Sequence, residues 1–100
     1  MNYHIVLSPD AKADIRSARR WYRRIDRNLA RRFSLESRIT VHRVTQFPYR
    51  FLLVNETVRQ ALLKRFPYAM YYRPYSKLVF VIAVVHQRRS DDFWKQRSRR

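Results

Sequence analysis

The 100-residue sequence contains no glycine, where ordinary usage near 7% predicts about seven. Every glycine-rich phosphate cradle is thereby excluded, the P-loop and the dinucleotide fingerprint alike, and with them the nucleotide-dependent enzymes of those classes. Turns that need positive φ must fall to other residues. Asn28 and Asn55 are the candidates, because a short polar side chain tolerates the left-handed region. Cysteine is absent too, so neither a disulfide framework nor a thiolate metal centre can form. Three scattered histidines make no zinc site, and no metal or cofactor is expected. Acids are scarce, seven Asp and Glu against 23 Lys and Arg, for a formal charge of +16. The longest apolar run, Leu78 to Val85, has eight residues, whereas a membrane span needs about 20. Polar and charged residues interrupt the first apolar positions, unlike a secretory signal. The expectation is a cytoplasmic protein with no membrane partner.

What is present argues for a packed domain. Apolar residues make up 46% and aromatic residues 15% of the chain, too many for a disordered polycation, and the length suits one domain spanning residues 1–100. Residues 1–50 hold twelve bases and four acids and residues 51–100 eleven and three, so each half carries +8. This is no neutral domain with a basic tail. An anionic partner is implied: nucleic acid, a ribonucleoprotein or an acidic protein. Nineteen of the bases are arginine, whose fork grips carboxylates and phosphates at two points. A GC-rich genome would produce the same bias without a functional cause.

Tyr3 to Leu7 reads as a strand. Ser8-Pro9-Asp10 then starts a helix, with serine as N-cap and proline at the first helical position. Ala11, Ile15, Ala18, Tyr22 and Ile25 recur on one face, within about 80° at 100° per residue. Arg16, Arg19, Arg20, Arg23 and Arg24 occupy another. A solvated charged face is the plain reading, yet ordinary surface helices mix signs and this one does not. After the short connection 26–28 a second helix, Leu29 to Gln46, packs antiparallel to the first. Its inner face is Leu29, Phe33, Ser37, Thr40, Val44 and Phe47. Leu35 and Ile39 lie opposite, either ordinary exposed residues or a docking spot.

Beyond a connection over 48–57 the pattern becomes β, with strands expected over Val58 to Phe66, Tyr68 to Arg73 and Leu78 to His86. Pro74 suits the second position of a type I turn between the last two. The last strand does not alternate, so both of its faces must be covered and it is central. The helical hairpin covers one face, and the chain termini or a partner must cover the other. Ser90 is placed to cap a short helix over Asp91 to Gln96, with Asp91 and Asp92 in its first turn. Trp94 would anchor that helix on the sheet, and residues 95–100 read as a mobile basic end. The fold class is α+β in two layers: strand, helical hairpin, antiparallel three-strand run (β-α-α-β-β-β) and a short C-terminal helix.

Leu7-Ser-Pro-Asp-Ala-Lys-Ala-Asp14, Val58-Arg59 leading to Leu63-Lys-Arg-Phe-Pro-Tyr-Ala-Met-Tyr-Tyr-Arg73, and Val84-Val-His-Gln-Arg-Arg89 before Phe93-Trp94 follow one another in order. Together they resemble the RelE/ParE superfamily of bacterial toxins, its ParE branch above all, over roughly residues 7–96. The family usually has a proline near Asp91 and glycines around 50–55, which this chain lacks. The resemblance implies the toxin of a type II toxin–antitoxin pair, neutralised by an acidic antitoxin in a hetero-oligomer. It also implies one of two activities: inhibition of DNA gyrase, as in ParE-like members, or cleavage of messenger RNA in the ribosome, as in RelE-like ones.

A metal-independent ribonuclease needs a base for the 2′-hydroxyl, cations for the phosphorane and an acid for the leaving oxygen. His86 is the one candidate base, or else a strand-end histidine bonded to backbone. Arg65, Arg73, Arg88 and Arg89 are the available cations, and Phe66 or Tyr72 would stack on a base. RelE-like enzymes place a further arginine where Tyr68 or Ala69 stands here, so the catalytic set is incomplete and the gyrase reading is favoured. Arg65, Arg73, Arg88, Arg89, Trp94, Arg16, Arg20 and Arg23 are then the residues expected to meet the target or the antitoxin. A non-toxic basic nucleic-acid-binding module is the remaining alternative.

Overall fold

The computed structural model describes residues 3–98, and of Ser90 to Phe93 the backbone alone. The chain runs β1 (His4–Leu7), α1 (Pro9–Ile25), α2 (Arg27–Gln46), β2 (Leu52–Leu53), β3 (Arg59–Leu62), β4 (Tyr68–Pro74), β5 (Leu78–His86), a 3-10 turn (Gln87–Arg89) and α3 (Ser90–Ser98). The five strands form one sheet in the order β1-β5-β4-β3-β2. Three of its pairings are antiparallel and β1 lies parallel to β5. The α+β architecture expected from the sequence is present, with the short β2 added inside the 48–57 connection.

Local chemistry explains the hairpin. Ser8 caps α1 as expected, its Oγ accepting the Ala11 N–H at 3.0 Å. Asp26, in extended backbone at φ −165°, serves both helices at once. Its N–H bonds the Tyr22 carbonyl and closes α1, while its carboxylate accepts the Asn28 N–H at 2.8 Å and opens α2. One residue therefore suffices as the joint. Ala11, Ala18 and Tyr22 of α1 meet Ala30, Phe33 and Val44 of α2 in the main core. Two residues expected on that core face lie outside it. Ile25 is exposed because it ends α1 at the hairpin tip, and Phe47 because it is the C-cap, whose non-helical backbone (φ −136°) carries the ring off the helical face. Leu35 and Ile39 are exposed on the far side of α2.

β5 sits between β1 and β4, and Val79 to Val85 are buried throughout except for the half-buried Phe80. A register shift opposite Tyr71 and Tyr72 leaves Ile82 as an extra residue. That bulge lets Val81 and Val84 serve one face while Ile82 and Ala83 both serve the other. The first face packs on the helical hairpin. The second is covered by the chain itself: Trp94 of α3 is buried against Tyr71, rings stacked 5.4 Å apart, above Ala69, Ala83 and Val85.

The expected basic end is also anchored up to Ser98. The Arg97 guanidinium bonds both oxygens of Asp14 on α1, lies 3.6 Å from the Asp10 carboxylate, and donates to the Ile82 carbonyl. Asp14 in turn accepts the Val84 N–H at 2.9 Å. β1 ends at Leu7, opposite Val81, so beyond that point β5 has no neighbouring strand on this edge. Ser8, Asp14 and Arg97 satisfy its backbone there instead. The cap by Ser90, the carboxylates of Asp91 and Asp92, and residues 99–100 lie outside the described set.

Three turn expectations need correction. β3 stops at Leu62 because the Leu63 N–H already closes the hairpin on the Tyr68 carbonyl. Pro74 is the last residue of β4, and the following turn closes through the Tyr75 N–H on the Leu78 carbonyl. Neither Asn28 nor Asn55 has positive φ. Asn28 is helical, and Asn55 uses its side-chain oxygen to hold the Thr57 and Val58 N–H groups. Among the described residues the left-handed position belongs to Arg65 alone, at φ 68°. A side chain with Cβ costs about 1 kcal/mol or more there. Arg65→Gly is expected to raise stability by about 0.5–1 kcal/mol, seen as a higher urea midpoint at unchanged slope. A lower midpoint would show that the arginine side chain outweighs its backbone strain.

Candidate functional site

The residues expected to form a site separate into four groups. His86 ends β5 opposite Tyr68, their rings edge to face at 5.4 Å. Arg88 and Arg89 follow in the exposed 3-10 turn, which is tied to the β3–β4 turn by the Gln87 N–H on the Pro67 carbonyl. Arg65 is exposed in that second turn. These four share one end of the sheet. Arg73 does not join them. It lies five residues along β4 from Tyr68, about 17 Å away at strand rise, bonded to the Thr57 hydroxyl and the Ser98 carbonyl. Trp94 is only 3% exposed. It is thus unavailable as a contact residue, since its ring is what covers the second sheet face. Arg16, Arg20 and Arg23 are exposed on α1.

Phe66 and Tyr72 do not stack on a base either. Both are buried, Phe66 among the rings of Tyr22 and Phe33, and Tyr72 with its hydroxyl donated to the Pro48 carbonyl at 2.6 Å. Burial pushes the Tyr72 hydroxyl far above the ordinary phenol range, so it stays neutral and ties the 48–57 connection down.

The surface the sequence did not reveal is an open groove of about 790 Å³ between α1 and the end of the sheet. Asp14, Ser17, Trp21 and Ile25 form one wall; Tyr68 and Val84 to His86 form the floor; Pro67 and Arg89 close the end. Trp21 is 55% and Ile25 58% exposed. Uncovered apolar surface therefore lies at the seam between hairpin and sheet, and also at Leu52 and Leu62, which share the sheet face of Tyr71 and Ala69 and are 64% and 48% exposed. A signal existed. Trp21 falls about 60° outside the Ala18–Tyr22 arc at 100° per residue, and a large aromatic ring just off the core stripe marks a partly wet boundary.

The groove's chemistry is that of a binding surface. Burial raises the Tyr68 hydroxyl pKa, with Arg89 opposing the effect, and the ring packs on Tyr22 and Phe33. The Arg88 N–H donates to Nδ1 of His86 at 3.2 Å, the backbone-bonded role open to a strand-end histidine. Among the described residues no three metal-ligating side chains gather, and no helix is long and apolar enough to cross a membrane.

Comparison with known proteins places this arrangement. Residues 5–91 match the family described as ParE toxin of type II toxin-antitoxin system, parDE. A solved structure described as the chromosomal ParDE TA system from P. aeruginosa superposes with a TM-score of 0.74 at 16% sequence identity, over 84% of this chain and 95% of that one. At that identity the likeness is one of fold. No curated protein matches at the sequence level.

Proposed function

Because the chain belongs to the ParE toxin family of type II toxin–antitoxin systems, we propose that it arrests growth by inhibiting DNA gyrase in the cytoplasm and is silenced by an acidic antitoxin. The observation that supports this reading is the groove. It offers exposed Trp21 and Ile25 as apolar anchors and Arg89 at its end, on a protein of charge +16. An amphipathic acidic segment laid there would bury the anchors and relieve part of the self-repulsion. Gyrase inhibition needs such surfaces and no reacting side chain. Ribonuclease chemistry needs a base, an acid and phosphate-binding cations together; here Arg73 stands apart from the His86 end, which holds Arg65, Arg88 and Arg89, and the half-buried Tyr68 beside His86 packs its ring on Tyr22 and Phe33.

Purified toxin is expected to block supercoiling of relaxed plasmid by gyrase at micromolar concentration. Complete indifference of the enzyme would overturn the reading. Cleavage of ribosome-bound messenger that disappears in His86→Ala would replace it with the RelE-like activity.

A further inference from the structure

Five arginines of α1 serve neither the core nor the groove. Arg16, Arg19, Arg20, Arg23 and Arg24 are all exposed and fall within about 140° of arc at 100° per residue. Between Arg16 and Arg24 no acidic or apolar side chain enters that arc. Among the described residues none of the five has a carboxylate partner; Arg20 reaches only the Ser17 hydroxyl, at 3.5 Å. The charge continues around the hairpin tip, where Arg27 opens α2 and the first turn of α2 holds no acid. A cation there opposes the helix macrodipole. The one carboxylate at the tip, Asp26, is engaged as the α2 cap. The molecule thus keeps a repulsive stripe at a cost to its own stability.

The makeup of the stripe selects its ligand. Protein interfaces centre on apolar and aromatic anchors and are depleted of charge at their core, and this face has no anchor. A membrane-surface helix must sink an apolar face into lipid, and the apolar face of α1 is already packed on α2 and the sheet. A regular anionic rod remains. From Arg16 to Arg24 the helix rises ~12 Å, which spans roughly three or four phosphates along one strand of a duplex. We propose that the arginine face of α1 binds the phosphodiester backbone of duplex nucleic acid. The site is separate from the groove and does not depend on the gyrase reading.

The test is binding of the full chain to a labelled DNA duplex of arbitrary sequence, followed by anisotropy across a salt series without gyrase present. Each phosphate contact contributes roughly 0.9 to the slope of log affinity against log salt. The variant Arg16→Gln/Arg20→Gln/Arg23→Gln is expected to flatten the slope by about 2 to 3 and to lose on the order of 100-fold in affinity at low salt. Lysine at the same three positions keeps the charge and the slope. Lys64→Gln/Lys77→Gln/Lys95→Gln removes three exposed charges elsewhere and is expected to change affinity by less than about threefold. Equal loss in the two glutamine triples would mean that net charge alone binds DNA, and would overturn the proposal. So would an unchanged slope in the arginine triple, or dependence on those arginines for polyglutamate but not for duplex. A parallel duplex RNA arm identifies the source: stronger arginine-dependent binding to one duplex assigns the backbone this face prefers.

Discussion

Arg97→Ala is expected to destabilise the toxin by about 2–4 kcal/mol, a large share of the 5–15 kcal/mol that holds a small domain together. The Arg97 and Asp14 side chains are each 15% exposed, so little water replaces the lost partner. The change would strand the Asp14 carboxylate against β5 and remove a donor from the Ile82 carbonyl. The bond to Asp14 also raises the Arg97 pKa above its ordinary value. A base whose pKa is raised on folding contributes its full stability below the unfolded value, and for arginine that covers the whole physiological range. Urea unfolding should show a lower midpoint at unchanged slope. Arg97→Lys should recover less than half, because an ammonium cannot make the two-point contact with Asp14. A loss under 0.5 kcal/mol would mean that the pair is a surface contact and that α3 is not tied to α1.

Trp94→Ala is expected to cost more, about 3–5 kcal/mol, as for other large-to-small changes at buried aromatic sites. The loss has two parts. The stacked contact with Tyr71 goes, and the second sheet face over Ala69, Ala83 and Val85 is opened to water. An open apolar face on β4 and β5 is an association hazard. Thermal unfolding should therefore fall steeply and light scattering should rise well before the transition. A variant as stable and as monodisperse as the parent would show that α3 is not the cover of that face. Because Arg97 and Trp94 hold the same helix, their effects should not add. The double variant is expected to lose less than the sum, since detaching α3 once forfeits both contacts.

The site was less legible in the residues than the scaffold was. His86 at the end of β5 and the arginines after it follow from a strand pattern and a short spacing, both local properties. Arg73 is among the cations offered to His86, yet the antiparallel run expected from the sequence already sets it beside the Pro74 turn, at the far end of the strand pair. That β4 runs antiparallel to β5, with Tyr68 rather than Arg73 opposite His86, separates them. Trp21 and Ile25 went unrecognised as groove walls because a helical wheel gives the direction of a side chain and not how far its neighbour extends. Both line the groove that α1 makes with the end of β5 and its following turn, and both stay more than half exposed.

By itself, then, the sequence determined the two helices and their joint, the long central strand, the large excess of positive charge in both halves and the exclusion of glycine-dependent nucleotide chemistry. Each rests on neighbours a few residues apart or on simple composition. Tertiary structure alone decided that β1 runs parallel beside β5 and stops short, and that Ser8, Asp14 and Arg97 complete the edge it leaves. It also decided that α3 covers the outer face of β4 and β5, that Arg65 takes the left-handed turn, and that an open apolar groove lies at the seam. Those features join residues as far apart as Asp14 and Arg97, and backbone groups left unpaired by one element are satisfied by whichever distant side chain the packing brings to them.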